Sequence, residues 1–232
     1  MCKIVYVHVP KCGGSSFAAA LRLRYWTSQA QVGFHADRVT RALQGDARIE
    51  ADYALRQKDL HDHIASGTRC ITGHVQANLE TLQRSDYKWV TLLRAPEERF
   101  VSHYRYLQRH HPDAGRAQTL ERFLSTPDAA RLASQYLFYF GGVSQARAGD
   151  LTAAIARAKA TLAHFHIVGD LAQPEPFMAS LRSLCGWGVL RLHRNSAPSP
   201  TRIPAELSTE IAALCAVDRA IFEAALPERL AA

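Results

Sequence analysis

The chain has few cysteines for its length and no order among them. Cys2, Cys12, Cys70, Cys185 and Cys215 are odd in number, scattered and without a C-x-x-C pair, so neither a disulfide framework nor a zinc knuckle is indicated. No apolar run approaches the ~20 residues needed to span a bilayer. Nor does the start resemble a secretory signal, because Lys3 to Pro10 is short and runs at once into Lys-Cys-Gly-Gly. A soluble protein of the reducing cytoplasm is therefore expected. The 232 residues hold no internal repeat, low-complexity tract or long linker, which points to a single domain, 1–232. A dense Lys/Arg block with interleaved aromatics is also missing, and with it the mark of a nucleic-acid binder.

What is there is apolar and basic. Hydrophobic residues make up 47%, enough for a real core. Lys plus Arg number 28 against 21 for Asp plus Glu, a net charge of +7. That excess favours an anionic partner: a nucleotide, a nucleic acid, an acidic glycan or a membrane surface. Arginine greatly outnumbers lysine, and its planar fork suits bidentate contacts with phosphate or sulfate.

Strands and helices alternate in the pattern. Lys3 to Val9 is a β-branched run ended by Pro10 and a glycine pair, and predicts a strand. A helix is expected from Ser15 or Ser16 to about Trp26. Residues 27–68 are polar and mixed and predict short helices and loops. Further strands are expected at Arg69 to Thr72, Tyr87 to Leu93 and His164 to Val168. Pro96 with Glu97 and Glu98 marks a helix start, since acidic groups there complement the dipole. Phe100, Val101, Tyr104 and Leu107 recur at helical spacing. Helices are also expected at about 117–138, 150–163, Pro174 to Leu184 and 205–225. The sum is an α/β fold of three layers, a central mainly parallel sheet flanked by helices. Ligands in such sheets sit beyond the carboxyl ends of the strands. Pro10 to Ser16, Gly73-His74, Arg94-Ala-Pro96 and Gly169-Asp170 all fall at such ends.

The first of these, His8-Val-Pro-Lys-Cys-Gly-Gly-Ser-Ser16, joins strand to helix. Gly13 and Gly14 let successive N–H groups curl inward, and the helix N-terminus adds partial positive charge. Lys11 supplies an ammonium, and Ser15 and Ser16 supply hydroxyls. An ordinary βα turn with a serine cap would use the same residues. The order is not that of a standard P-loop, because Lys11 precedes both glycines and the loop is shorter. It resembles instead the 5′-phosphosulfate loop of the sulfotransferases that use PAPS (3′-phosphoadenosine-5′-phosphosulfate), written Pro-Lys-(Thr/Ser/Cys)-Gly-(Gly/Thr/Ser)-(Thr/Ser). The resemblance implies a P-loop-like fold, with Lys11 on the oxygen bridging phosphate and sulfate. It also implies that Cys12, Gly13, Gly14, Ser15 and Ser16 cradle the 5′-phosphate.

Leu92-Leu-Arg-Ala-Pro-Glu-Glu-Arg-Phe-Val-Ser-His-Tyr-Arg-Tyr-Leu107 resembles the 3′-phosphate element of carbohydrate sulfotransferases, Leu-Arg-Asp-Pro-x-x-Arg-x-x-Ser-x-(Tyr/Phe). Arg94 ends a buried strand and can fork onto a phosphate, and Ser102 lies eight residues later, about two helical turns on. Ala95 stands where Asp is commoner, so an orienting carboxylate is missing. Between the two elements sits Thr72-Gly-His-Val75. In the heparan sulfate 2-O-sulfotransferase-like branch a Gly-His-Val at this place carries the base, which here would be His74. Imidazole suits that task near neutral pH, though a lone histidine is more often structural. Ile167 to Leu171 and Leu192 to Pro198 resemble the family's late strand and the loop that closes over the nucleotide. There Arg194, Asn195 and Ser196 could touch the 3′-phosphate or adenine, or form a plain surface turn.

The resemblance implies transfer of a sulfuryl group from PAPS to an acceptor hydroxyl, leaving PAP as product. The acceptor would be a carbohydrate or glycoconjugate, with a lipid or small metabolite left open, and 27–68 and the arginine-rich 105–131 would shape its site. No metal is required. The histidine pairs His61/His63 and His164/His166 could chelate but have no third ligand at matching spacing. Two rivals stay open. A P-loop-type small-molecule kinase would need a Mg²⁺ carboxylate at a strand end, with Asp170 as candidate. A catalytically silent nucleotide-binding protein would keep Lys11 and Arg94 while His74 served packing alone.

Overall fold

A computed structural model describes residues 2–35, 43–110, 119–186, 188–189 and 203–226. Five strands form one sheet: β1 (Ile4–Val7), β2 (Gln29–Val32), β3 (Cys70–Gly73), β4 (Lys88–Leu93) and β5 (Ile167–Asp170). Their order is β2-β3-β1-β4-β5 and every pairing is parallel. Parallel neighbours need crossovers, and helices supply them. These are α1 (Gly14–Arg24), α2 (Gly45–Ala65), α3 (Leu79–Arg84), then α4 (Pro96–His110), α5 (Leu120–Leu124), α6 (Pro127–Ala133), α7 (Gln135–Gly141) and α8 (Leu151–Ala163). After β5 come α9 (Pro174–Cys185), α10 (Ser208–Leu214) and α11 (Ala216–Ala225). The α/β class and the parallel sheet flanked by helices are as expected.

β1 lies at the centre, with Ile4 facing Cys70 on one side and Lys88 on the other. All four of its residues are buried, and the period of two splits them between two cores. Val5 and Val7 join Ile71, Trp89 and Leu93 beneath Leu60, Tyr136, Tyr139 and Phe222. Ile4 and Tyr6 join Cys70, Val90 and Leu92 beneath α1 and α9, through Phe17, Leu21, Phe177 and Leu181. Each such side chain contributes about 1.5–3 kcal/mol of burial, which is why a strand of four residues holds the middle of the molecule. A third cluster packs Phe100 and Tyr104 of α4 against Phe123, Leu132 and Ile211.

Three expectations need correction. Residues 27–68 contain the edge strand β2 and the 21-residue helix α2, where short helices and loops were expected. In β2 only Val32 is buried, with Gln29 and Gln31 exposed, so no apolar alternation marks it. The buried stripe of α2 is Asp52, Arg56 and Leu60; its spacing is helical, but two of its three residues are charged. The expected helix at 117–138 is three short helices among the described residues. The Thr119 and Thr126 side chains cap α5 and α6, and Pro127 opens the second of these. The expected last helix is a 3₁₀ turn at Ala205–Leu207 followed by α10 and α11, which meet at Cys215.

Candidate active site

Because all strands run the same way, their carboxyl ends open on one edge. The loops after β1, β3 and β4 are neighbours there, since β3 and β4 flank β1. The loop after β1 takes two turns into the left-handed region, at Lys11 (φ 68) and Gly13 (φ 70). Gly13 is the N-cap of α1; no side chain caps that helix and no acidic residue occupies its first turn. A helix N-terminus of that kind favours an anion. Both glycines are also sterically required: a Cβ at Gly13 would stand 2.6 Å from Leu171 Cδ1, and one at Gly14 2.2 Å from His8 Cδ2. Ser15 is exposed and Ser16 half-buried on the first turn. Cys12 turns its side chain into the core, its Sγ 3.5 Å from the Tyr136 hydroxyl, and burial pushes its thiol up to about 11. It therefore lends the loop its backbone and not its thiol.

The half-buried Lys11 extends its ammonium over the Tyr106 ring, 4.4 Å from the centroid. Burial lowers its pKa, and the nearby Arg109 and Arg94 lower it further. Three cations converge here, an arrangement that an anion relieves. The Arg94 backbone is held at both ends by Tyr136, whose hydroxyl accepts from Arg94 N at 2.9 Å and donates to Arg94 O. The Arg94 side chain donates through Nε to Glu98 at 3.2 Å. Ser102, half-buried, lies one turn beyond Glu98 on α4.

His74 follows β3 directly. Its Nδ1 lies 2.6 Å from the carbonyl oxygen of His8. Only an N–H can bond a carbonyl, so Nδ1 carries the proton and Nε2 is the free acceptor. Burial lowers the His74 pKa and Arg56 adds to this, while the bond to His8 works the other way. His8 stacks on His74 with centroids 4.5 Å apart. Burial brings His8 down to about 3, helped by His74, Arg22 and Lys11.

Several residues that hold this site went unnoticed in the sequence. Arg56 donates to the His74 carbonyl at 3.1 Å and is itself paired with Asp52. Gln57 donates to the Gln76 carbonyl, and the Gln76 side chain to that of Phe138. The Asp52/Arg56 spacing of four was the one signal available, on a segment not expected to be a long helix. Tyr106 and Tyr136 bore no mark beyond being aromatic. Arg194, Asn195 and Ser196 lie outside the described residues.

Among the described residues no group of three or more His, Cys, Asp or Glu side chains could hold a metal ion. His61 lies near Thr81, His164 donates to Ala160 O, and His166 accepts from Lys88. The Asp170 carboxylate accepts from Ala172 N at 2.9 Å, closing its own turn. No helix among the described residues is long and apolar enough to cross a membrane.

No curated protein matches the chain. A family model does, over residues 1–138, a span that contains the loop of Lys11, the Gly-His-Val of His74 and the Arg94/Ser102 element. On that match the chain belongs to the sulfotransferase family.

Proposed function

We propose that the protein transfers a sulfuryl group from PAPS to a hydroxyl of a carbohydrate or glycoconjugate, with His74 as general base. It would thus stand in the heparan sulfate 2-O-sulfotransferase-like branch. The observation that carries this is the bond from His74 Nδ1 to the His8 carbonyl. It leaves Nε2 basic, on a ring stacked against the residue that opens the donor loop. In the step, the acceptor O–H breaks and its proton goes to His74 Nε2. The acceptor oxygen bonds to sulfur as the bond from sulfur to the 5′-phosphate oxygen breaks, and PAP departs. Lys11 and the N–H groups of Gly14, Ser15 and Ser16 stabilise the charge that develops on that oxygen. Arg94 and Ser102 hold the 3′-phosphate, a task to which Arg194, Asn195 and Ser196 would add. No step calls for a metal. The test is a transfer screen with radiolabelled PAPS against glycans, glycolipids, phenols and simple alcohols. Label is expected in a glycan; label only in phenols would move the protein to another branch, and label in nothing would favour a silent binder.

A further inference from the structure

Three rings stack where β1 ends. Tyr6 lies against His8 with centroids 6.0 Å apart and planes at 11°, and His8 against His74 at 4.5 Å and 26°. His8 thus has one face on the core and the other on the base. Its edge fills the space beneath Gly14, where a Cβ would stand 2.2 Å from His8 Cδ2 and 2.6 Å from its Nε2. Its backbone carbonyl receives the Nδ1 proton of His74. One residue therefore touches the donor loop, the plane of the base and the proton that sets its tautomer.

A single hydrogen bond at Nδ1 leaves an imidazole free to rock about that bond, which swings Nε2 through an arc. A flat ring packed on one face removes that freedom. A base must meet its proton within hydrogen-bond reach, so such rocking would cost rate without affecting donor binding. The charged groups around the stack are Arg56, facing His74 from α2, and Arg22 and Lys11, facing His8 from α1 and its loop. All three are cationic and oppose a second positive charge on either ring.

We propose that His8 is a positioning residue for sulfuryl transfer, whose carbonyl fixes the tautomer of His74 and whose flat ring fixes its plane and its spacing from the donor loop. The proposal rests on His74 being the base, but its test does not require an acceptor. Protein labelled with ¹⁵N-histidine is saturated with PAP, and the ring nitrogens of His74 are followed by NMR in three forms. These are the native protein, His8→Phe, which keeps a flat face, and His8→Leu, which keeps bulk without one. The native protein and His8→Phe should show one neutral tautomer with the proton on Nδ1. His8→Leu keeps the carbonyl but not the flat face, so that pattern should broaden by exchange as the ring rocks about its one bond, while PAP still binds in calorimetry. If His8→Leu no longer shows the rise in Tm that PAP confers, His8→Met takes its place.

An unaltered His74 in the Leu or Met variant would overturn the proposal. So would a His8→Phe as disordered at His74 as His8→Leu, since the flat face would then not be what matters. Failure of the native protein to bind PAP would instead sink the donor reading, and appears in the same titration. A His74→Ala variant with full turnover would remove the base while leaving the NMR result standing.

Discussion

Replacing His74 with alanine separates transfer from binding. In the proposed step the imidazole meets the acceptor and not the donor, so PAP affinity should persist in calorimetry while turnover falls by roughly 10²–10⁴-fold, the usual contribution of a positioned base. The sign of the pH dependence follows from the ring's surroundings. Burial and Arg56 lower the His74 pKa, and only the neutral ring can take a proton. Activity should therefore hold on acidification until below the titration of an ordinary histidine, then fall; a decline that begins above it would contradict the buried base. Arg94→Ala tests the proposed 3′-phosphate contact. Its backbone is anchored by Tyr136 whatever its side chain, so the fold should survive. PAP binding should weaken by roughly 1.5–3 kcal/mol, the loss of a charge-assisted hydrogen bond. A variant that binds PAP as the native protein does would take Arg94 out of the site.

Helices distant in sequence brace the turn that carries Arg94. Arg99 of α4 is fully buried and faces Asp218 of α11 at 3.6 Å, while also donating to Leu132 O on α6. The same carboxylate accepts from the N–H groups of Tyr136 and Leu137, at 2.9 and 3.1 Å, in the open first turn of α7. Tyr136 in turn grips Arg94. Asp218→Ala should lower the unfolding free energy by about 3–5 kcal/mol in urea titration, because it strands a buried guanidinium. The double variant Arg99→Met/Asp218→Leu should recover most of that, since no charge is then left buried. If the double variant is no better than the single, the pair contributes through geometry and not through mutual neutralisation. Of this brace only Arg99 was legible, as the second arginine of the Arg94 element. Asp218 has no local signature, and its role follows from α11 docking on α7 and α4.

For the molecule as a whole the donor is the first thing to establish. A ligand that binds only the folded state stabilises it, by about 2.7 kcal/mol at a hundredfold excess over Kd. PAP or PAPS should therefore raise the Tm clearly more than ATP or ADP, without added Mg²⁺, because the proposed site gives one phosphate to Lys11 and the other to Arg94 and Ser102. Equal shifts with ATP, or a strict need for Mg²⁺, would count for a kinase. The net charge of +7 implies that these shifts shrink as salt is added.

The sequence by itself determined what depends on a few adjacent residues. A β-branched run marked β1 and a strongly apolar run marked β4, Pro96 with two glutamates marked the start of α4, and the glycine pair after β1 marked an anion loop at a helix N-terminus. These signals are local because strand sterics, turn geometry and the helix dipole each act over a handful of positions. Only the tertiary structure decided the rest. β2 and α2 are obscured because an edge strand needs no apolar alternation and α2 buries Asp52 and Arg56 as a mutually neutral pair. Cys12 looked like part of an anion site by position, yet packing sends its thiol inward toward Tyr136. The state of His74 is decided the same way. Gly-His-Val names the residue, but the parallel pairing of Val7 with Gly73 brings the His8 carbonyl to its Nδ1. Sixty-six residues separate those two atoms along the chain, and only the folded sheet puts them 2.6 Å apart.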